Sequence, residues 1–231
     1  LFRYVFSLSN RILMLEYLNQ CILEQNMKAI ENMNAIRNTG AGSSGPGIIL
    51  ILFFESFINQ IYNIFENIAK INLFLFDDTK EQYPQDFFSQ IDKIQKGAIT
   101  FGQCYDEKIL NMKQWYSEAV SIRHNTNHFI VGTSTYSENT EGDYIPQYLN
   151  YNVIDRTNPN PNEIKCDIKV KTKEYHDLTL KSLNQISGCY LNRIDRDVPC
   201  DISVITENGF EIHSVSLNQF ISGEIGKVRF P

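Results

Sequence analysis

The chain has 231 residues, a formal net charge of −6, 42% hydrophobic residues and 21% charged residues. That is enough for one large domain or two small ones, each with a buried core, in the composition range of soluble proteins. The acidic balance excludes a global basic field, so any contact with nucleic acid has to come from a local patch.

Leu8, Ile12, Leu15, Ile22, Ala29, Met33 and Ile36 recur at helical spacing. With Ser9 or Asn10 as a start signal and Gly40 as a stop, they predict a long helix over residues 9–38. The apolar stretch at the N-terminus carries Arg3 and Arg11 and lacks a small-residue cleavage site, so no signal peptide is expected. Residues 39–47 are rich in glycine and serine and read as a flexible loop. The Lys-Ser/Thr that would make this loop a phosphate cradle is missing. A second, very apolar helix is expected over 48–76, with Glu55, Asn59, Asn63, Glu66, Asn67 and Lys70 on one stripe. Its longest unbroken apolar run, 48–54, falls short of the roughly 20 residues a bilayer requires, so no membrane association is expected.

Pro84 opens a third helix, over 85–96. A fourth is expected over 106–123, with Ile109, Met112, Trp115, Tyr116, Ala119, Val120 and Ile122 on one broad face and Trp115 in the core. Residues 133–161 are polar and lack a helical period, with a strand expected over 144–154 and a turn at 158–162. In 164–173, Ile164, Cys166, Ile168 and Val170 alternate with Lys165, Asp167, Lys169, Lys171 and Lys173, the pattern of a half-buried strand with a basic outer face. A β-hairpin inserted at about 134–173 follows from this reading. A further helix is expected over 174–193, and two β runs within 201–216 flank Asn208-Gly209, a strong hairpin signal. The fold class is therefore mainly α, α+β overall. A helical domain spans 1–195, and a C-terminal β-hairpin segment, 196–231, is expected to pack on it.

The five cysteines are scattered, odd in number and without a C-x-x-C pair, the usage of reduced thiols in a cytoplasmic protein. Ser134, Thr135 and Ser137 sit in no nucleophile motif, and His176 and His213 read as surface residues.

The segment richest in chemistry is Arg123-His124-Asn125-Thr126-Asn127-His128. A histidine moves protons near neutral pH, and an arginine holds phosphate oxygens in a fork. In an ideal helix, residues five positions apart point roughly 140° away from each other. Arg123 and His128 can therefore meet on one substrate only if the backbone bends or if two chains combine. Asn125-Thr126-Asn127 are poor helix formers and good caps, which predicts a break after Arg123 and a new helix start near His128. Free amides at such a start favour a phosphate.

The run R-H-N-T-N-H resembles the signature of HEPN-superfamily ribonucleases, in which an Arg and a polar residue precede several variable residues and a His. Arg123, His124 and His128 match those positions. The resemblance covers six residues as motif and about residues 1–195 as architecture, a HEPN-like helical bundle. It implies a metal-independent endoribonuclease with no cofactor, acting in the cytoplasm as a homodimer whose two motifs meet across a helical face. The ribose 2′-hydroxyl attacks the adjacent phosphate and leaves a 2′,3′-cyclic phosphate and a 5′-hydroxyl. On this carry-over His128 handles proton transfer and Arg123 steadies charge on the phosphate. His124, or the amides of Asn125 and Asn127, positions RNA. Glu55 matches an acidic residue on an earlier helix that orients the Arg. Antiviral defence or a toxin–antitoxin pair, with a corresponding partner protein, is the implied context. Some family toxins carry a Tyr two residues after the His; here that position is Ile130.

Other readings stand beside this one. The lysine row with Lys169 and Lys171 either tracks an RNA backbone or keeps an edge strand soluble. His124 and His128 form an i, i+4 pair suited to a metal-dependent hydrolase, but Asn125 replaces the metalloprotease Glu and no third ligand lies near, so no metal is expected. A non-catalytic helical module that binds a partner is the alternative from another class.

Overall fold

A computed structural model describes residues 2–76, 83–128, 131–152, 162–191, 199–206 and 209–216. The side chains of residues 2, 125, 127, 128, 151, 152, 162, 163, 191 and 199–216 lie outside that description, as do Ile130 and all of the predicted turn at 158–162 except the backbone of its last residue. The protein is mainly helical with a small antiparallel sheet.

α1 (Phe2–Thr39) and α2 (Gly45–Phe76) form an antiparallel hairpin. The Arg11 guanidinium donates to Gln60 Oε1 at 3.2 Å, and the Gln25 amide donates to the Pro46 carbonyl at 3.0 Å, so numbers along one helix fall as those along the other rise. Gly40, at φ 71°, ends α1 in the left-handed conformation a C-terminal glycine favours. The connection expected to be flexible is tied down instead. Asn32 donates to the Ser43 carbonyl at 2.7 Å and accepts from the Ser43 amide at 3.1 Å.

α2 packs against α1, against α3 (Phe87–Gln95) and against α4 (Gln103–His128). By length and composition α2 can cross a membrane, although its unbroken apolar run is short; half of its most apolar window is buried inside the protein. Its buried residues include Leu50, Phe54, Phe57, Ile61, Ile64, Phe65 and Ile68. Phe65 centres an aromatic cluster with Phe87, Trp115 and Tyr116, so the core sits where α2, α3 and α4 meet. Asp86 caps α3 by accepting from the Ser89 amide at 2.8 Å.

β1 (Thr133–Glu138), β2 (Tyr144–Asn152) and β3 (Asn162–Asp167) form an antiparallel sheet in that order. The sequence reading missed β1, whose Thr and Ser residues carry little apolar signal. Its hairpin turn is built by Asn139, whose side-chain carbonyl accepts from the amides of Glu141 and Asp143.

The predicted strand over 164–173 is half strand and half helix. The chain leaves β3 at Asp167 and enters α5 (Ile168–Leu191). Asp167 accepts from the Val170 amide at 2.9 Å, an N-cap that outweighs the alternating pattern. Ile168, Thr172, Tyr175, Thr179, Ser182 and Ile186 are buried at helical spacing. Lys169, Lys171 and Lys173 therefore do not share a strand face. His176, expected on the surface, contacts Glu16 Oε1 at 2.9 Å.

The chain forms two compact units, Leu1–Ile186 and Ser187–Pro231. In the second unit β4 (Pro199–Thr206) pairs with β5 (Gly209–Ser216) as the expected hairpin, but Thr206 stands opposite Gly209, one position off the register that a turn centred on Asn208-Gly209 would set.

Candidate functional site

α4 carries the Arg–His motif, and it does not break there. The helix runs on through His128. The Thr126 hydroxyl donates back to the Ile122 carbonyl at 2.8 Å and to the Arg123 carbonyl at 3.1 Å. This local bonding accommodates the poor helix formers without a bend. The predicted kink after Arg123 is thus corrected, and positions 123 and 128 stand roughly 140° apart around one helix axis. The side chains of Asn125, Asn127 and His128 lie outside the described residues.

Arg123 is half-buried, and its guanidinium carbon sits 4.0 Å from the centroid of the Tyr62 ring on α2. Burial raises the Tyr62 hydroxyl above its ordinary pKa, the charge of Glu66 adds to that, and Arg123 acts against it. Glu66 is one turn further along α2. Its carboxylate accepts from the Phe87 amide at 3.2 Å, and burial holds its pKa above the usual range. The site thus has a cation resting on an aromatic ring, with an acid beside the hydroxyl of that ring. His124, next to Arg123, is half-buried as well.

Glu55 lies on the same α2 stripe, 9% exposed. Its Oε1 accepts from the Gly132 amide at 2.7 Å and from the Tyr148 hydroxyl at 3.1 Å. Asn150 donates to that hydroxyl at 2.9 Å. Burial raises the pKa of Glu55, and its two donors work in the opposite direction. Glu55 therefore clamps the chain between α4 and β1 to β2. Gly132 is required by close approach: a Cβ there would overlap the Tyr148 ring.

The lysines divide. Lys171, 18% exposed, bridges Glu118 at 3.2 Å and Glu174 at 3.0 Å, so it anchors α5 to α4. Lys169 is exposed, two positions before it on α5. Burial pushes the Cys166 thiol up to about 12, which keeps it protonated and unreactive. Among the described residues no group of three or more His, Cys, Asp and Glu side chains gathers as a metal site.

The apolar surface changes near the end of α4. Ile48 and Leu52 of α2 are exposed, as is Val131 just beyond α4. Together with Ile51 and residues 132–134 they line a cavity of about 180 Å³.

Sequence reasoning singled out Arg123, His124 and Glu55 and passed over Tyr62, Glu66, Tyr148 and Gly132, which the structure places around them. Tyr62 falls seven positions after Glu55, on its face of α2, and an aromatic on a polar stripe is the signal that marks it. Comparison with protein-family models, with curated proteins and with solved structures finds no match for this chain.

Proposed function

We propose that the protein is a metal-independent endoribonuclease of HEPN type, in which two copies of the chain build each cleavage centre. The observation that carries this reading is the course of α4: Arg123 is seated on Tyr62, and the helix continues unbroken to His128. One chain then cannot turn both motif positions toward one phosphate, whereas a two-fold pair of chains can. Exposed Ile48, Leu52 and Val131 beside the end of the motif helix support association at that place. Arg123 supplies charge stabilisation, His128 of the other copy transfers the proton, and His124 positions RNA. The 2′-hydroxyl attacks phosphorus, the P–O5′ bond breaks, and a 2′,3′-cyclic phosphate and a 5′-hydroxyl remain.

A second reading rests on the same stacking contact. A guanidinium held by Tyr62 also suits a non-catalytic helical module that uses Arg123 to join α2 to α4. Purified chain incubated with total RNA separates the two. The ribonuclease reading expects cyclic-phosphate ends, no loss with EDTA, and loss of cleavage in Arg123→Ala and His128→Ala with unchanged circular dichroism. Absence of RNA cleavage by the folded wild-type chain favours the binding module.

A further inference from the structure

α1 has two faces. Leu15, Leu18, Ile22 and Ala29 recur at helical spacing and are buried, and α1 packs on α2. The opposite face is open, and in its N-terminal half it is apolar. Phe6 is 61% exposed, Leu13 67% and Tyr17 63%, and the three fall on one line along the helix. Val5 and Met14, also exposed, flank that line on either side. Phe74 of α2 is exposed too, and it widens the strip where its ring meets that of Tyr4, centroids 5.7 Å apart. Large apolar side chains gathered on one strip of surface mark an interaction site.

Charge distinguishes what can cover the strip. From Arg3 to Glu24 the helix carries two cations, Arg3 and Arg11, followed by two anions, Glu16 and Glu24. The whole chain has a net charge of −6. A strip so balanced, on so acidic a protein, has no attraction to an anionic lipid surface. The order of the signs is self-complementary instead. Turned end for end, the helix presents its acids to its own bases. Arg3 and Glu24 are both exposed, and neither takes part in an ion pair among the described residues.

We propose that two copies of the chain pair reversibly through this strip, α1 against α1, antiparallel about a two-fold axis level with residues 11 and 12. In the register that lays the apolar strip on itself, Phe6 meets Tyr17 of the second copy and Leu13 meets Asn10. Arg3 then stands opposite Gln20, with Glu24 one turn beyond. Helical side chains lean toward their own N-terminus, so Arg3 leans outward toward Glu24 of the second copy, and that Glu24 leans back toward it. The register that covers the apolar residues therefore also closes an Arg3–Glu24 pair at each end. The paired stretch, from Arg3 to Gln20, is about 27 Å long. A strip of that length and about 10 Å width lies below the roughly 800 Å² per partner of a standard interface, so the pairing depends on protein concentration. It uses none of Ile48, Leu52 and Val131 and does not rest on the cleavage reading. Where the motif end associates as well, each copy has two self-pairing faces and the assembly grows beyond a dimer.

Sedimentation velocity of the full chain over a range of concentrations tests this. The wild type is expected to self-associate. Leu13→Glu sets a charge in the middle of the strip and is expected to raise the concentration needed for association roughly ten-fold or more. Arg3→Glu and Glu24→Arg, both at exposed positions, are each expected to weaken association roughly three-fold or more, because each sets like charges against one another at both ends. Mixed in equal amounts, these two variants are expected to associate with each other as tightly as the wild type does, since each end of the mixed pair again joins an arginine to a glutamate. A wild type that sediments as a monomer at every concentration overturns the proposal. So does a mixture of Arg3→Glu and Glu24→Arg that associates no better than either variant alone, or flotation of the wild type with phosphatidylserine vesicles in place of self-association. Association that survives Leu13→Glu and is lost in Leu52→Glu belongs to the end of the motif helix. It overturns the α1 pairing and leaves the cleavage reading standing.

Discussion

The Arg123 guanidinium carbon lies 4.0 Å from the centroid of the Tyr62 ring, joining the end of α4 to the middle of α2. The contact is half-buried on both sides. Cation–π pairs of this kind contribute about 0.5–2 kcal/mol, depending on how far the cation is removed from water. Tyr62→Leu removes the ring and is expected to cost about 1 kcal/mol in urea denaturation, on top of any packing loss. Tyr62→Phe keeps the ring and removes only the hydroxyl near Glu66, so it is expected to retain the pairing with Arg123. If Tyr62→Leu and Tyr62→Phe unfold at the same urea concentration, the ring face contributes nothing to holding the arginine.

Glu55 gives the clearest pH dependence. An unfolded glutamate releases its proton near 4.5, and burial makes the folded Glu55 hold its proton to higher pH. Between those two values the folded state binds more protons than the unfolded state. Stability then falls as pH rises through that window and is fully retained below it. Glu66, also raised by burial, adds a slope of the same sign. Glu55→Gln still offers an acceptor to the Gly132 amide and the Tyr148 hydroxyl but cannot ionise, so it is expected to flatten the decline without unfolding the sheet. Glu55→Ala strands both donors, at about 1–3 kcal/mol each. Denaturation curves of the three proteins between pH 4 and 8 test this, and an equally steep decline in Glu55→Gln excludes the assigned cause.

The helices were legible because their apolar residues recur on one face, and α2 above all because nearly every side of it is apolar. Their ends were less so. α4 outran its expected end at 123 because the Thr126 hydroxyl bonds back to the helix carbonyls, a geometry that residue type alone does not announce. The 164–173 stretch misled because Ile164, Cys166, Ile168 and Val170 alternate as a strand does, while the buried row continuing to Thr172, Tyr175 and Thr179 has the helical period. At the site, Arg123 and His124 stood out from their neighbours by chemistry. Tyr62 did not, because it meets Arg123 only through the packing of α2 on α4, which no local pattern records.

That buried row makes a prediction about Asp167. The residue closes β3 and caps α5 through the Val170 amide. Asp167→Ala is expected to cost about 0.5–2 kcal/mol, the usual loss for a cap of this type. Asp167→Asn keeps an acceptor and is expected to recover most of it. Equal stability of Asp167→Ala and the wild type in chemical denaturation contradicts the capping role.

Gly132 lies between α4 and β1, where the Tyr148 ring leaves no room for a Cβ. Its amide also donates to Glu55, so the backbone cannot back away without breaking a buried hydrogen bond. Tyr148 is itself fixed, with its ring 5.1 Å from that of Phe54. Gly132→Ala is therefore expected to destabilise by about 1–3 kcal/mol, the range for overpacking a filled core. A melting temperature within error of the wild type would show that the ring moves aside freely.

The unbroken α4 also bears on how the proposed cleavage centre would be shared. Suppose each centre takes Arg123 from one copy and His128 from the other. Arg123→Ala and His128→Ala are then each inactive alone, because every centre in either homodimer lacks one group. A heterodimer of the two has one centre missing both groups and one centre intact. Random mixing after co-expression makes about half of the dimers heterodimers, so roughly one quarter of the wild-type cleavage rate returns. If instead both groups of a centre come from the same copy, each centre of the heterodimer lacks one group and mixing restores nothing. Differently tagged variants, co-expressed and purified through both tags, enrich the heterodimer and raise the expected rate to about half. Background cleavage in that doubly purified sample, from a protein whose wild type cleaves RNA, rules out a centre shared between copies, and with it the reading drawn from the straight helix.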